Sequence, residues 1–431
     1  MPKFNYPVSN PFEARDVTEP TFEENIFESN LYVNLDEVRG REYLEDIKFD
    51  LGIDENGNLN STQEYVKLIF SGHIGSGKTV ELTRLHDQLN KPENYFSIFI
   101  SIEKELEISR FEPEDFYVLL ITKLIQRLED KGISKNTDSL KELSSLFFSD
   151  QEIKREINET YRDQIEGNVG AEINFLNFFK IGGSLRNILG SETKVATNIR
   201  ETVRKNLPRL ILLFNDYLSD IRADVRKSGL GGDILLIVDG SEKIDFDKYE
   251  TLFVKDASVL LGIDSNMILS VPIDAFYQID KSPIRFTNLY IVPMIITEND
   301  NARKALCEII TKRIDLDVFF ADQAALSESI HFSGGCIRQL FLVVNASIRK
   351  TRGTRKITSQ VVDEIVYKIG NMMRERIDQT YIAVLKKEMH EPADAIVKEL
   401  LRGLLLLKYN GIKSIRINPI LKKFMEDAGE L

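Results

Sequence analysis

Gly72, His73, Ile74, Gly75, Ser76, Gly77, Lys78 and Thr79 stand in the order G-x-x-x-x-G-K-[ST]. In such a run the glycines let successive backbone N–H groups turn inward around a β-phosphate. A helix that starts at the end of the run adds the partial positive charge of its first turn. Lys78 would reach the β- and γ-phosphates as a point charge, and Thr79 would offer its hydroxyl to Mg²⁺, with Val80 next in the same turn. The side chain of His73 is expected to face solvent rather than phosphate. The surroundings suit this chemistry, because residues 66–71 read as a short buried strand and residues 79–89 as a helix. The spacing predicts a site for a nucleoside triphosphate, ATP with Mg²⁺.

A second apolar run, residues 234–238, reads as a strand that closes on Asp239. A carboxylate there, beside the glycine loop, can hold Mg²⁺ through water. The residue after it is Gly240, and the next acid is Glu242. Glu242 is either the general base, a carboxylate within reach of one water, or a surface acid paired with Lys243. Toward the end of the chain Lys408, Lys413, Arg416, Lys422 and Lys423 either face DNA phosphates or form charge-balanced solvated surface, which is the favoured reading. His86, His331 and His390 stand alone and read as structural or surface residues, and no nuclease or protease constellation is visible.

These groups need a scaffold. Strand-like runs recur at 66–71, 96–102, 234–238, 267–271 and 289–292, with helical patterns at 79–89 and 112–129. Strand, loop, helix, strand, helix implies an α/β fold with a parallel sheet. Residues 132–230 interrupt it with charged, mainly helical sequence, in which Pro208 should kink or split a long helix. Within the interruption, residues 167–186 read as an aromatic hairpin that either packs on neighbouring helices or is exposed for a partner. Beyond Pro293 the pattern is helical, at 302–314, 321–330, 336–349 and 359–373. A helix over 392–403, two short strands about Asn410-Gly411 and a last helix suggest a small winged-helix-like unit. The expected divisions are an irregular arm, 1–30, broken by Pro2, Pro7, Pro11 and Pro20; a P-loop core, 31–295; a helical lid, 296–375; and the winged-helix-like unit, 376–431.

The 431 residues are 42% hydrophobic and 29% charged, the composition of a folded globular chain. A net charge of −12 argues against a surface given over to nucleic acid. Cys307 and Cys336 lack the paired spacing of a zinc site or disulfide framework, and a reducing, cytoplasmic setting fits. Residues 1–24 lack the apolar core of a signal peptide, and the apolar runs at 210–214 and 404–407 fall far short of the roughly 20 residues of a membrane span.

Residues 32–34 and 38–42, the glycine loop and the strand ending at Asp239 together resemble an AAA+ or STAND-type P-loop ATPase. The nearest subgroup is bacterial, with a D-G-x-D or D-x-x-D form of the strand-acid motif in which Glu242 takes the last place. The resemblance spans about residues 30–370 apart from the interruption. It implies that Val38 and Arg39 lie beside the adenine, and that Ser270 is a polar sensor of the γ-phosphate or the attacking water. It implies that Arg338, after Ser333-Gly334-Gly335, reaches back from a lid helix to the phosphates. Arg285 is then either a finger entering a neighbouring copy's site or a surface arginine. The function implied is a nucleotide-driven switch that forms a homo-oligomer or engages a separate effector, with a role in bacterial antiphage defence. The rivals are a DNA-acting ATPase of replication or transposition and a scaffold that binds ATP without hydrolysing it.

Overall fold

A computed structural model describes residues 3–22, 25–40, 42–60, 64–133, 137–148, 185–410 and 414–431. The central sheet has five strands: β1 Lys67–Gly72, β2 Tyr95–Ser101, β3 Asp233–Asp239, β4 Asn266–Pro272 and β5 Asn288–Val292. Their spatial order is β2-β3-β4-β1-β5 and every pairing is parallel. Parallel strands are covered on both faces, so they read as unbroken apolar runs. In β3, Ile234, Leu236 and Val238 enter the core on one face while Leu235 and Ile237 enter the core on the other. This is the two-residue period of a strand.

The helices that matter for the site are, in chain order, α1 Pro11–Val17, α2 Asp36–Arg39, α3 Lys78–Leu89 and α4 Pro113–Asp130. They continue with α5 Lys194–Lys227, α6 Ile273–Ile279, α7 Asp300–Thr311 and α8 Gln323–Phe332. α9 Ile337–Thr351, α10 Ser359–Arg374, α11 Ala395–Arg402 and α12 Pro419–Asp427 complete the set. An antiparallel pair, β6 Leu406–Lys408 and β7 Ile415–Ile417, lies between α11 and α12. This helix, hairpin, helix sequence is the small C-terminal unit anticipated above. Among the described residues no helix is long and apolar enough to cross a membrane.

The described helices of the 132–230 interruption close one face of the sheet. Ile199, Val203, Leu210, Phe214 and Ile221 of α5 share a core with α4, β2 and β3. Arg200 donates to both carboxylate oxygens of Asp115 at 2.8 and 2.7 Å, pinning α5 to the first turn of α4. Backbone angles depart from helical at Asn206 (φ −125°, ψ 18°), two residues before Pro208. A proline ring crowds the preceding turn and withholds a hydrogen bond, so the break falls there. The aromatic run of 167–186 lies outside the described residues except for Leu185 and Arg186, which open a short helix, Leu185–Leu189.

The arm, 1–30, differs from the irregular segment expected. Pro11 takes the first position of α1, where its missing N–H costs nothing, and the Asn10 side chain accepts from the N–H groups of Phe12 and Glu13. The arm lies on the lid: Val8 donates to the carbonyl of Arg313 and accepts from the N–H of Asp315. Val8, Ala14, Val17, Val33 and Leu35 are buried with Leu306, Ile310, Leu340 and Val344 of the lid helices. Asn345 of α9 donates to the carbonyl of Arg15 and to the Thr18 hydroxyl. Replacing Asn345 by alanine removes both bonds between arm and lid while Thr18 keeps its bond to the Ala14 carbonyl at 2.6 Å, at a cost of about 1 kcal/mol. Limited proteolysis within residues 3–22 should then be faster than in the wild type. Equal cleavage rates would mean that the arm is held by its apolar contacts alone.

Candidate functional site

Ligands of parallel α/β sheets gather at the carboxyl ends of the strands, and the predicted residues converge there. β4 lies between β1 and β3, so Ser270 stands between the glycine loop that leaves β1 and the acid that ends β3. α3 starts directly after Gly77, which has φ 96°, and no side chain caps its first turn. Lys78 is buried, and its ammonium donates to the carbonyls of Gly72 and His73 at 3.0 and 3.1 Å. The Thr79 hydroxyl donates to Oδ2 of Asp239 at 2.7 Å, and Val80 follows half-buried in the same turn.

Asp239 is buried, and its Oδ1 has no hydrogen-bond partner. Burial, and after it the charge of Glu242, pushes its carboxyl up to about 6, against the pull of Thr79 and Lys78. A buried carboxylate oxygen without a donor, beside a threonine hydroxyl, suits a divalent cation. Mg²⁺ commonly takes only one or two protein oxygens and fills its other positions with phosphate and water. Among the described residues no group of three or more His, Cys, Asp or Glu side chains stands ready to hold a metal.

Gly240 explains why no acid follows Asp239 directly. Its φ of 95° lies in the left-handed region that glycine alone adopts without strain. The chain therefore turns at once into the short 3₁₀ turn Ser241–Lys243, which carries Glu242 back over the site. One carboxylate oxygen of Glu242 lies 3.8 Å from the Lys78 ammonium and the other accepts from the Ser270 hydroxyl at 3.4 Å. The Gly240 N–H donates to that same hydroxyl at 3.0 Å, and the Ser241 hydroxyl donates to the Ser270 carbonyl. Lys243 turns away to pair with Glu103. Glu242 is therefore not paired with Lys243 here.

The remaining candidates divide. Arg338, at the start of α9, lies on the loop. Its N–H donates to the carbonyl of Gly75 at 3.3 Å, and a Cβ on Gly75 would come within 2.2 Å of the Arg338 Cβ. The Cys336 thiol faces the carbonyl of Ile74 at 3.7 Å. Val38 is half-buried against the lid core. Arg39 is only 2% exposed, and its guanidinium donates to Glu81 at 2.8 Å and to the carbonyl of Ser76. It braces the loop from below rather than presenting its charge to an open pocket. Arg285 is exposed on the stretch before β5, and no described contact joins it to the cluster. His73 departs from expectation: its ring is buried against the C-terminal unit. Of the tail cations, Lys422 and Lys423 pair with Glu426, Asp363 and Asp427, and Arg416 lies beside Glu298.

Sequence reasoning missed one group altogether. Asp36 forms a two-pronged pair with Arg84 at 2.6 Å on each prong, and the Tyr32 hydroxyl accepts from Arg84 at 2.9 Å. With Arg39 and Glu81 this makes a charged network that fastens α2 to α3. The signal was present as Glu81 and Arg84, three apart on the helix that follows the loop.

The parallel sheet, the glycine loop between β1 and α3 and the acid ending β3 define a P-loop α/β fold. No protein-family model matches the sequence, and no curated protein matches it. Among solved structures, a variant of RuvB from Thermotoga maritima is 11% identical over 92% of this chain and 95% of its own, with a TM-score of 0.35. Cdc6p from Pyrobaculum aerophilum is 9% identical over 96% of this chain and 98% of its own, with a TM-score of 0.39. The fold is defined by the chain's own strand order and by the position of its glycine loop.

The raised carboxyl of Asp239 has a definite sign. Below about pH 6 its protonated form prevails, so a cation must displace a proton to bind. Mg²⁺-dependent nucleotide affinity, followed by calorimetry, should fall roughly tenfold one pH unit below that value and level off above it. An affinity that stays flat across this range would exclude Asp239 from the cation's surroundings.

Proposed function

We propose that the chain is an ATP-binding and ATP-hydrolysing switch of AAA+ or STAND type, which assembles or engages a partner according to its nucleotide state. The observation that supports this best is the meeting of Lys78, Thr79, Asp239, Glu242 and Ser270 at the ends of three adjacent strands. Mg²⁺, held by Thr79 and Asp239, would draw charge from the phosphate oxygens. Lys78 would exchange the carbonyls of its own loop for phosphate oxygens. Glu242, oriented by Ser270, would accept the proton of the attacking water. Arg338 would reach the phosphates from α9, which makes closure of lid on core depend on nucleotide. Arg285 would serve a neighbouring copy's site in a homo-oligomer, a reading supported by its exposure on the stretch before β5. Resemblance alone extends the reading to a separate effector protein and to antiphage defence.

Replacing Lys78 by alanine should abolish nucleotide binding in calorimetry; tight ATP binding by that variant would falsify the site. Glu242→Gln should keep binding while turnover drops about 10²–10⁴-fold, the usual worth of a general base. Turnover equal to wild type would move the base elsewhere. Arg285→Ala should bind ATP normally yet lose hydrolysis that depends on assembly, measured together with mass in the presence and absence of ATP. Near-zero turnover in an assembled wild-type sample would favour the ATP-bound scaffold instead.

A further inference from the structure

The side chain of His73 reaches from the glycine loop into the C-terminal unit. Its ring is 1% exposed. Its Nε2 accepts from the Lys408 N–H at 2.8 Å, and its Nδ1 lies 3.0 Å from the Leu401 carbonyl. The acceptor role of Nε2 leaves the proton on Nδ1, which donates to that carbonyl. Both nitrogens are therefore committed to the C-terminal unit in one fixed tautomer. Burial and the nearby Lys78 push the ring's pKa down to about 3, so these bonds persist at ordinary pH.

Lys408 begins a run of three residues that each touch a different wall of the site. The Lys408 carbonyl accepts from the Met294 N–H at 2.9 Å, where the core passes into the lid. The Tyr409 hydroxyl donates at 2.8 Å to the carbonyl of Gly334, in the turn that leads to Arg338. Asn410 donates at 3.0 Å to the carbonyl of Arg39, and Arg39 in turn donates to the carbonyl of Ser76. Two points on the glycine loop, His73 and Ser76, are thus held by contacts that lead to one short stretch of the C-terminal unit.

We propose that residues 408–410 are the element through which the C-terminal unit sets the backbone of the glycine loop, with His73 as the positioning residue that joins them. The inference rests on the nucleotide reading of the loop and adds its regulation. Anything that displaces the C-terminal unit, a bound partner included, loosens the loop and lowers nucleotide affinity. By reciprocity, nucleotide binding tightens the docking of the C-terminal unit.

The test uses the full chain and a slowly hydrolysed ATP analogue with Mg²⁺. Affinity is measured by calorimetry, and amide hydrogen exchange over residues 404–410 is followed with and without the analogue. In the wild type the analogue should slow exchange at Lys408. His73→Ala should weaken binding about 5–150-fold, the usual span of such couplings, and remove the effect of nucleotide on that exchange. His73→Gln, which restores an acceptor for the Lys408 N–H, should recover most of both. Asn410→Ala should weaken binding by a smaller factor. Wild-type affinity in His73→Ala with an unchanged exchange response would overturn the inference. If His73→Ala does not fold, Asn410→Ala decides, because Asn410 is exposed; unchanged affinity there overturns it equally. A wild-type chain that binds no nucleotide would instead overturn the reading of the loop itself.

Discussion

Two carboxylates, Asp239 and Glu242, share a buried corner with one ammonium, Lys78, and much of the architecture follows from that imbalance. Lys78 is 3.8 Å from Glu242 and is held by two loop carbonyls, while Asp239 keeps an oxygen with no partner. A buried charge left without a partner costs several kcal/mol. The corner relieves that cost by raising the Asp239 carboxyl toward protonation, and it could do so equally by taking up a cation. The turn at Gly240 and the hydroxyl of Ser270 exist in this arrangement to bring the second carboxylate into the same corner. Without the left-handed step at Gly240, Glu242 would continue outward beside Lys243.

The parts of this site that were legible in the sequence are those written over short spans. The glycine loop, the strand that ends at Asp239 and the helix break near Pro208 each depend on a few consecutive residues. The turn after Asp239 rests on a single glycine, yet its left-handed φ of 95° at Gly240 emerges only in the structure. What was not legible depends on distant partners. The orientation of His73 is decided by Leu401 and Lys408, more than three hundred residues along the chain. Arg39 was expected beside adenine on resemblance, yet Glu81 gives its charge a buried partner on another helix. The order of the strands likewise comes from packing, because any of several parallel orders would satisfy the same apolar runs.

The core, lid and C-terminal unit meet in one small apolar junction of Met294, Cys336, Leu407 and Tyr409. One residue there comes from the end of the core, one from the start of α9 and two from the β6 region. Such a junction leaves little room for one part to shift without the others, because packed interiors change between discrete arrangements rather than deforming smoothly. The neighbouring polar contacts at Gly334 and His73 specify which arrangement is adopted.

The lid core unites Val8, Ala14, Val17, Val33 and Leu35 with residues from Ala302 to Val366 and with Ile420. The lid is therefore not a continuous stretch of sequence. During synthesis the arm is made well before the surface it packs on, which comes mainly from residues 302–366. A helix as short as α1 has little stability of its own. The arm can dock only after residues 302–366 have been made, so its synthesis and its folding are separated by a long stretch of intervening chain.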